Sequence, residues 1–580
     1  MSAVRHEAEV RRGVLGRLGA AAGRGPSRLA GRLGVPRGEL GWLAAITLLA
    51  AILRFVNLPA RGGWDSDQAS SMFDLQHAIS TGQLPTFGPL SSLLTFHHGA
   101  LYYDLLLPAA WLGNGDPTWV VAEIALLSLL VVPAVWWIAR TIGGPTAGLT
   151  AAFLVAISAS LIGYATFIWN PTLVEPGASI AFLGAWQALR TRKAAWWTVA
   201  AAGAAGAAQA HIAAAVIVLP LAAAFILDLW RGPASRRGRI AAWGLGGVAV
   251  FVATWLPLIV YEVGHDYPET RGMLAYFLSG SSASSNGPLV RLIFATIRII
   301  AWPLTRWPMI DLKPAFPAAL ITASAIIALL IWLVAATAGP PSLKEERAAP
   351  EAVTGAEMGS TEPVRRSGAS TAKRSPAIDR FGVRLIGFWL LFIILVLGLG
   401  LHSVSEVQAL PTEQYHVIAD PLVFVAVGLI AGALWQRLPR RRLTLARRAA
   451  VAIALGALLA WNVGHWPPLT SPDGGWPAAE AAAARLERDA GGSPMALVPL
   501  FVPKGGDAYL YPLSRDGLNL VSPQQATTVV LLCDTFWLTG CDGAAQKTWV
   551  DANPAGNGLE RVDQFAAAPD RILTVYRRAP

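Results

Sequence analysis

Eleven apolar segments long enough to cross a lipid bilayer constrain the fold of this 580-residue chain more than any other feature. A helix needs about 20 mainly apolar residues to cross the hydrocarbon core. Charged residues make up only 14% of the chain, whereas soluble domains have roughly 25%. A soluble enzyme, a disordered chain and a collagen-like fibre are excluded, and an all-α polytopic membrane protein is predicted. The predicted spans are 40–58, 118–138, 146–163, 171–189, 194–210, 212–229, 240–261, 316–337, 383–402, 417–435 and 447–463.

The basic residues between the spans predict which ends of the helices face the cytoplasm. Cytoplasmic loops carry an excess of Lys and Arg, and this explains the net charge of +10 without a nucleic-acid partner. Basic clusters lie at 190–193 and at 231–239, so an even number of crossings must separate them. We therefore expect two spans that meet near His211 rather than one long helix over 194–229. The segments predicted to lie outside are 59–117, 164–170, 262–315, 403–416 and the tail from 464.

Composition divides the chain into three parts. Residues 1–38 hold eight arginines and form a basic cytoplasmic tail, 39–463 form the membrane domain, and 464–580 form a small extracytoplasmic α/β domain. The segment 339–381 has the composition of a disordered cytoplasmic linker. High Ala, Gly, Arg and Trp content is typical of a GC-rich bacterial genome, so we expect a bacterial plasma membrane. In the C-terminal domain a helix is predicted over Ala478–Ala490, and strands are predicted over Met495–Val502, Thr527–Cys533 and Arg571–Tyr576.

The number and positions of the cysteines and histidines limit the kinds of metal and redox site that the chain can form. The two cysteines, Cys533 and Cys541, lie in the predicted extracytoplasmic domain, where a disulfide is the expected state and two free thiols are the alternative. No Cys/His cluster has the spacing of metal ligands. No cytoplasmic segment carries a Gly-rich phosphate loop. We therefore expect no cofactor; a divalent metal is compatible with the sequence, but no motif supports one.

The first outer loop, 59–117, holds the densest group of polar residues. Asp65 and Asp67 follow the first span closely, at the level of the lipid headgroups. A carboxylate there can deprotonate an acceptor hydroxyl while the lipid chain of a donor stays in the bilayer. Repulsion between the two carboxylates favours a proton or a cation held between them. The alternative is an ordinary solvated loop in which Asp67 caps a helix.

Two short motifs carry a resemblance to a known family. Asp67-Gln68 precedes a small-residue helix, a Gly-x-x-Pro turn at 82–85 and the sequence His97-His98-Gly99-Ala100-Leu101-Tyr102-Tyr103. This order resembles the first periplasmic loop of GT-C glycosyltransferases, and more narrowly the group of protein O-mannosyltransferases and aminoarabinose transferases of lipid A. The sequence Glu413-Gln414-Tyr415-His416-Val417-Ile418-Ala419-Asp420-Pro421 is similar to a second motif of that group. Gln68 stands here where the group has Glu, and His98-Gly99 stands where it has Pro-Pro.

The resemblance implies a GT-C-like fold and a glycosyltransferase that uses a polyprenyl-phosphate sugar donor. The acceptor would be a glycan, a lipid or a protein. Asp67 would be the general base, with Asp65 assisting. The donor phosphate needs cationic or hydrogen-bonding groups near the outer leaflet. The candidates for substrate binding are His97, His98, Tyr102, Arg298, Glu413, Tyr415 and His416.

Two further expectations concern residues near this site. A helix over Pro288–Trp307 is expected to lie in the membrane interface, because Leu, Ile and Phe separate its arginines. Arg298 on that helix either binds the donor or only contacts lipid phosphates. His211, at the turn between two spans, either faces the cavity or is an uninvolved residue at a helix end.

Two other functions are compatible with the sequence. Transporters and lipid flippases place charges inside spans and often contain internal repeats, whereas here the acids gather in outer loops and no repeat is evident. A scaffold without enzymatic activity could bind a cell-envelope partner through the C-terminal domain. Only a test of activity separates that scaffold from an enzyme.

Overall fold

The computed structural model describes residues 31, 33–91, 96–278, 287–306, 316–337, 378–400, 413–436, 441–501, 506–535 and 538–579. Most of the predicted tail 1–38, the predicted linker 339–381 up to residue 377, and residues 403–412 lie outside the described residues.

Nine helices in the described part are long and apolar enough to cross a membrane, and the chain is a multi-pass membrane protein. Eight of the nine coincide with predicted spans, and the ninth is Pro288–Thr305. The eight are Arg37–Phe55, Pro117–Gly143, Ile212–Arg231, Ala234–Gly264, Pro317–Ala336, Arg380–Gly400, Val417–Trp435 and Arg441–His465.

The predicted spans 146–163, 171–189 and 194–210 correspond to helices that are shorter or less apolar than these nine. The first is divided at Ser158, whose hydroxyl caps the following short helix. His211 has an extended backbone, with φ −151°, and it separates the third from the next span, where the charge pattern predicts a break. The helices concerned are Pro145–Ile157, Ala159–Tyr164, Val174–Thr191 and Trp196–Ala210.

The helices Val174–Thr191 and Trp196–Ala210 are packed closely through glycines. A Cβ atom at Gly184 would lie 2.5 Å from the backbone nitrogen of Ala200, and one at Gly203 would lie 2.4 Å from that of Ala181. Small residues allow such close approach in a bilayer, where lipid gives little hydrophobic drive for helix association. The pair forms a rigid unit at the centre of the bundle.

The helix Pro288–Thr305 lies across one end of the bundle, although it is long enough to span a membrane. Its Ala295 meets Gly398, near the end of Arg380–Gly400, since a Cβ there would lie 3.1 Å from the alanine Cβ. At its C-terminal end, the Thr305 carbonyl accepts a hydrogen bond of 2.7 Å from Trp461, near the end of the last span. Both contacts lie on the side of the C-terminal domain.

Protein, rather than lipid, surrounds the second half of this transverse helix. Its residues from Ile297 to Thr305 are all buried. Its first half remains open, with Leu289 and Ile293 exposed, so the interfacial position expected from the sequence stays a prediction for that half, while protein covers the second half. Arg298 is 3% exposed and faces the interior instead of lipid phosphates.

The C-terminal domain is a four-stranded sheet with helices packed against it, and we refer to it as the sheet domain. The strands are β1 Met495–Pro499, β2 Thr528–Asp534, β3 Leu559–Ala568 and β4 Arg571–Arg578. They are arranged in the order β1-β2-β4-β3, with β1 and β2 parallel and the other neighbours antiparallel. The helices are Gly475–Ala490, Asp507–Arg515 and Ala544–Ala552.

Strand β3 has no counterpart in the sequence analysis. Glu560 and Arg561 are exposed in it, because β3 is an edge strand and charged residues protect such edges from pairing with other chains. The alternation of apolar and polar residues that reveals a strand is therefore weak there. Cys533, in β2, is joined by a disulfide bond to Cys541.

Candidate active site at the outer end of the bundle

The helix Ser66–Thr81 on the first outer loop begins at Asp65 rather than at Asp67. The Asp65 carboxylate accepts a hydrogen bond of 2.7 Å from the Ser66 amide, and the Gln68 side chain accepts one of 2.9 Å from the Asp65 amide. This capping box needs Glu or Gln three residues after the cap. Gln68 meets that spacing for Asp65, so the expectation that Asp67 is the cap is wrong.

The sheet domain holds Asp65 in place. Arg571 of β4 lies 3.3 Å from the Asp65 carboxylate and donates a hydrogen bond of 2.9 Å to the Trp64 carbonyl. The Trp64 indole in turn donates to the Ala508 carbonyl over 2.7 Å. Asp65 therefore has two structural partners, the helix amide and Arg571.

Asp67 lies in the first turn of the same helix and is exposed. The buried face of the helix carries Gln68, Met72 and Leu75 instead. Gln68 donates a hydrogen bond of 2.9 Å to the Ile168 carbonyl, and this bond anchors the helix start to the loop before Val174–Thr191. Of the two acids, Asp67 is the more exposed, although 38% of the Asp65 side chain is also exposed.

His97 is bound by an acid from a distant helix. The Glu269 carboxylate accepts a hydrogen bond of 2.6 Å from the His97 amide and lies 2.9 Å from its Nδ1 atom. Glu269 begins the helix Pro268–Leu278, just after the long span Ala234–Gly264. A phosphate that used His97 would have to compete with this carboxylate.

His98 is buried and neutral near pH 7. Burial and, to a smaller extent, neighbouring His97 lower its pKa to about 4. Its Nδ1 atom accepts a hydrogen bond of 3.3 Å from the Ile212 amide, so the proton of the neutral ring lies on Nε2. His98 can donate one hydrogen bond to a ligand but brings no positive charge.

Aromatic rings connect the first outer loop to the second motif. The His98 and His211 ring centres are 4.9 Å apart, and those of His211 and Tyr415 are 5.2 Å apart. His211 is buried, with 7% of its surface exposed. The structure thus places His211 inside the cluster, between the two sequence motifs.

The transverse helix completes this cluster. Arg298 lies close enough to His416 to interact with it electrostatically, and the Trp302 ring centre is 6.1 Å from that of His416. Four segments that are far apart in sequence therefore meet at one place. We call this set the outer cluster; it comprises His98, His211, Arg298, Trp302, Tyr415 and His416.

Several buried polar atoms of the outer cluster have no hydrogen-bond partner among the described residues. They are both ring nitrogens of His416, the Trp302 indole nitrogen and the Oε1 atom of neighbouring Gln414. Roughly 90% of buried polar groups in proteins are paired. Unpaired atoms that converge in this way are suited to a polar ligand.

Two other sequence candidates are placed differently. Tyr102 is 1% exposed, and its ring packs 5.1 Å from that of Tyr103 in the core. The side chain of Glu413 lies outside the described residues. In the described part of the chain, no group of three or more His, Cys, Asp or Glu side chains could hold a metal ion.

A second buried group, of which the sequence motifs contain only Asp420, lies next to the outer cluster. Arg54, Glu175 and Asp420 are each at most 2% exposed, and Glu175 interacts electrostatically with both of the others. Arg54 donates hydrogen bonds to the Ser128 hydroxyl over 3.0 Å and to the Val155 carbonyl over 3.2 Å. Arg54, Glu175 and Asp420 each lie at the edge of an apolar stretch of the sequence. An ionisable residue in that position is a signal of function.

Comparison with known proteins identifies the fold. No protein-family model and no curated protein sequence matches this chain. ArnT from Cupriavidus metallidurans bound to undecaprenyl phosphate is similar over 92% of this chain and 98% of its own, with a TM-score of 0.52 at 12% identity. The apo state of the same ArnT gives a TM-score of 0.52 at 11% identity. AglB, an archaeal oligosaccharyltransferase from Archaeoglobus fulgidus, gives 0.45 at 12% identity over 93% of this chain and 74% of its own. The GT-C fold expected from the sequence is confirmed.

Proposed function

We propose that this protein is an integral-membrane glycosyltransferase that moves a sugar from a polyprenyl-phosphate donor to an extracytoplasmic acceptor. The observation that carries the proposal is the convergence of buried, unpaired hydrogen-bonding atoms in the outer cluster, beside a loop that presents an accessible carboxylate. The fold supports it, because the similar ArnT structure contains undecaprenyl phosphate. The acceptor would be a glycan, a lipid or a protein.

In this proposal the outer cluster binds the donor phosphate. The Arg298 guanidinium supplies the positive charge, and guanidinium–phosphate hydrogen bonds are strong and directional. His416 and the Nε2 atom of His98 donate further hydrogen bonds without adding a charge of their own. Arg298 and His416 are almost completely buried, so the surrounding low dielectric strengthens these contacts.

The lipid chain of the donor would occupy an apolar cavity beside the first outer loop. This cavity of about 330 Å³ lies between Phe96, Ile212 and the outer half of Ala234–Gly264, where Trp255 and Ile259 line it. The His97–Glu269 pair stands at its polar rim. Because its walls are mainly apolar and the outer cluster adjoins it through His98, it suits a prenyl chain whose phosphate lies in that cluster.

The reaction would begin at Asp67. Its carboxylate takes the proton of the acceptor hydroxyl as that oxygen attacks the anomeric carbon of the donor sugar. The bond from the anomeric carbon to the phosphate oxygen breaks, and the polyprenyl phosphate leaves with the bonding electrons. The leaving phosphate gains one negative charge, which the Arg298 guanidinium stabilises. Asp65 supports the loop through Arg571 instead of accepting the proton.

Loss of the phosphate contacts should weaken donor binding. We expect Arg298→Gln and His416→Phe each to reduce affinity for a polyprenyl-phosphate sugar by about tenfold or more, because a hydrogen bond to a charged group contributes about 1.5–3 kcal/mol. Affinity can be measured by titrating the purified protein in detergent with a short-chain donor. Arg271→Gln is the matched control, since Arg271 is exposed and paired with Asp266 at 2.8 Å. Unchanged affinity in folded Arg298→Gln and His416→Phe would place the phosphate elsewhere.

The proposed reaction needs the outer cluster and the sheet domain on the extracytoplasmic side of a bacterial plasma membrane. If the basic clusters set this orientation, topology reporters fused at cytoplasmic and external positions should give opposite signals. A cytoplasmic signal at Asp507 would contradict the orientation. The expected cytoplasmic fusions follow Arg192, Arg237, Pro350 and Arg441, and the expected external fusions follow Leu112, Ser284 and Asp507.

A further inference from the structure

A second polar cavity lies at the end of the bundle opposite the sheet domain. It has a volume of about 290 Å³, and arginines and acids line it together. We call it the arginine cavity; its charged residues are Arg190, Arg192, Arg231, Asp228 and Asp379.

Two contacts place the arginine cavity at that end. Arg190 lies near Arg140, and Arg140 forms a 2.7 Å ion pair with Glu39 at the start of the first span. The opposite end of that span leads to Asn57, whose side chain donates a hydrogen bond of 2.7 Å to the Leu469 carbonyl beside the sheet domain. The outer cluster and the arginine cavity are therefore separated by the thickness of the membrane domain.

Protein groups already satisfy both acids in the cavity. The Asp228 carboxylate is buried and accepts hydrogen bonds from Arg192 at 3.2 Å, from Arg236 at 3.2 Å and from the Trp197 indole at 3.0 Å. Asp379 caps the helix Arg380–Gly400, because its carboxylate accepts the Phe381 amide at 2.9 Å. Asp228 is thus fully engaged, whereas Asp379 lies near enough to Arg190 to attract it but forms no ion pair with it among the described residues.

The arginines exceed the acids. Arg190, Arg192 and Arg231 line the cavity against Asp228 and Asp379, a surplus of one positive charge, and Arg236 adds a further positive charge beside Asp228. Arg190 is held by the Gln187 side chain at 3.2 Å and lies over the Trp137 ring at 5.7 Å. Arg231 has no hydrogen bond or ion pair with any described residue. The cavity thus presents two guanidinium groups that have no carboxylate within ion-pair distance.

The remaining walls of the cavity are apolar. Trp186, Leu189, Leu227 and Phe381 line it beside the arginines. A cavity between membrane helices that joins basic and apolar walls at the headgroup level is a recurring site for anionic lipids. A free phosphate would use only the basic wall, whereas a phospholipid uses both.

We propose that the arginine cavity binds the phosphodiester headgroup of an anionic phospholipid from the leaflet opposite the sheet domain. Arg190 and Arg231 contact the phosphate, and the apolar wall contacts the start of an acyl chain. The site is independent of the proposed transferase reaction.

The test is lipid binding to the purified full chain. Binding of dioleoyl phosphatidylglycerol and of dioleoyl phosphatidylcholine can be compared by native mass spectrometry. We expect the double variant Arg190→Gln/Arg231→Gln to bind phosphatidylglycerol about tenfold or more weakly, because each charged contact contributes about 1.5–3 kcal/mol and about 1.4 kcal/mol is tenfold. Arg239→Gln is the matched control, an exposed arginine outside the cavity. An unchanged thermal midpoint of the double variant shows that it is folded.

Three results would overturn the proposal. Equal loss of phosphatidylglycerol in the control, or no loss in the double variant, would leave only a general attraction of basic loops to lipid. Displacement of the lipid by millimolar glycerol 3-phosphate would assign the site to a soluble phosphate. Stronger lipid binding after Glu→Gln replacement of Glu345, Glu346, Glu351, Glu357 and Glu362 would assign the cavity to the glutamates of the segment 338–377 of this chain.

Discussion

Asp67→Asn is expected to leave donor binding intact and to lower turnover by about 10²–10⁴-fold, the usual loss when a general base is removed. Asn preserves the size and the hydrogen bonding of the side chain but cannot accept the acceptor proton. Asp67 is exposed in the first turn of its helix, so the replacement disturbs little packing. Single-turnover rates and donor affinity should be measured separately, because only the rate should change.

The variant Asp65→Asn distinguishes the roles of the two carboxylates. Asn caps helices as well as Asp does, so the helix start should persist, while the ion pair with Arg571 at 3.3 Å is lost. We expect a smaller decrease in turnover than for Asp67→Asn, and Arg571→Gln should reproduce it. Near-normal turnover of Asp67→Asn contradicts the assignment, and an inactive Asp65→Asn with an intact helix would move the base to Asp65.

Arg54→Ala is expected to destabilise the membrane domain by about 3–5 kcal/mol, the usual effect of removing one partner from a buried charge group. Arg54 is completely buried, and Glu175 is 2% exposed beside it. Without the guanidinium, the two acids Glu175 and Asp420 remain buried with no arginine to offset them. The loss can be measured as the free energy of unfolding in mixed micelles, and as a lower thermal midpoint.

A second substitution tests whether charge is the cause. Arg54→Ala combined with Glu175→Gln removes the uncompensated acid, so part of the lost stability should return. Arg239→Ala, an exposed arginine, should change stability by no more than about 0.5 kcal/mol. If the double variant is no more stable than Arg54→Ala alone, the effect comes from lost packing and hydrogen bonds rather than from charge.

Most spanning helices could be predicted because length and hydropathy are local properties. Eight of the nine long apolar helices coincide with predicted spans. The break at His211 also followed from sequence, since the basic clusters on either side require two crossings. The transverse helix Pro288–Thr305 shows the limit of this method. Its composition fits a span, an interfacial helix and a buried helix alike, and only its contacts at Ala295 and at Thr305 distinguish them.

The predictions of the helix cap and of the edge strand failed for different reasons. Asp65 and Asp67 are both good N-cap residues, and the choice between them depended on the position of Gln68, a cue present in the sequence. Strand β3 was missed because its outer position exposes Glu560 and Arg561. Whether a strand lies at an edge is settled by its neighbours in the sheet, which its own residues do not specify.

The sequence by itself determined the membrane class, most of the spans and the two motifs of the first outer loop and of residues 413–421, because each depends on residues close together in the chain. Only the tertiary structure decided which polar residues meet. His98, Arg298 and His416 come from three separate segments, and so do Arg54, Glu175 and Asp420. In an apolar bundle each buried polar group needs a partner, and helix packing alone decides which distant residue supplies it.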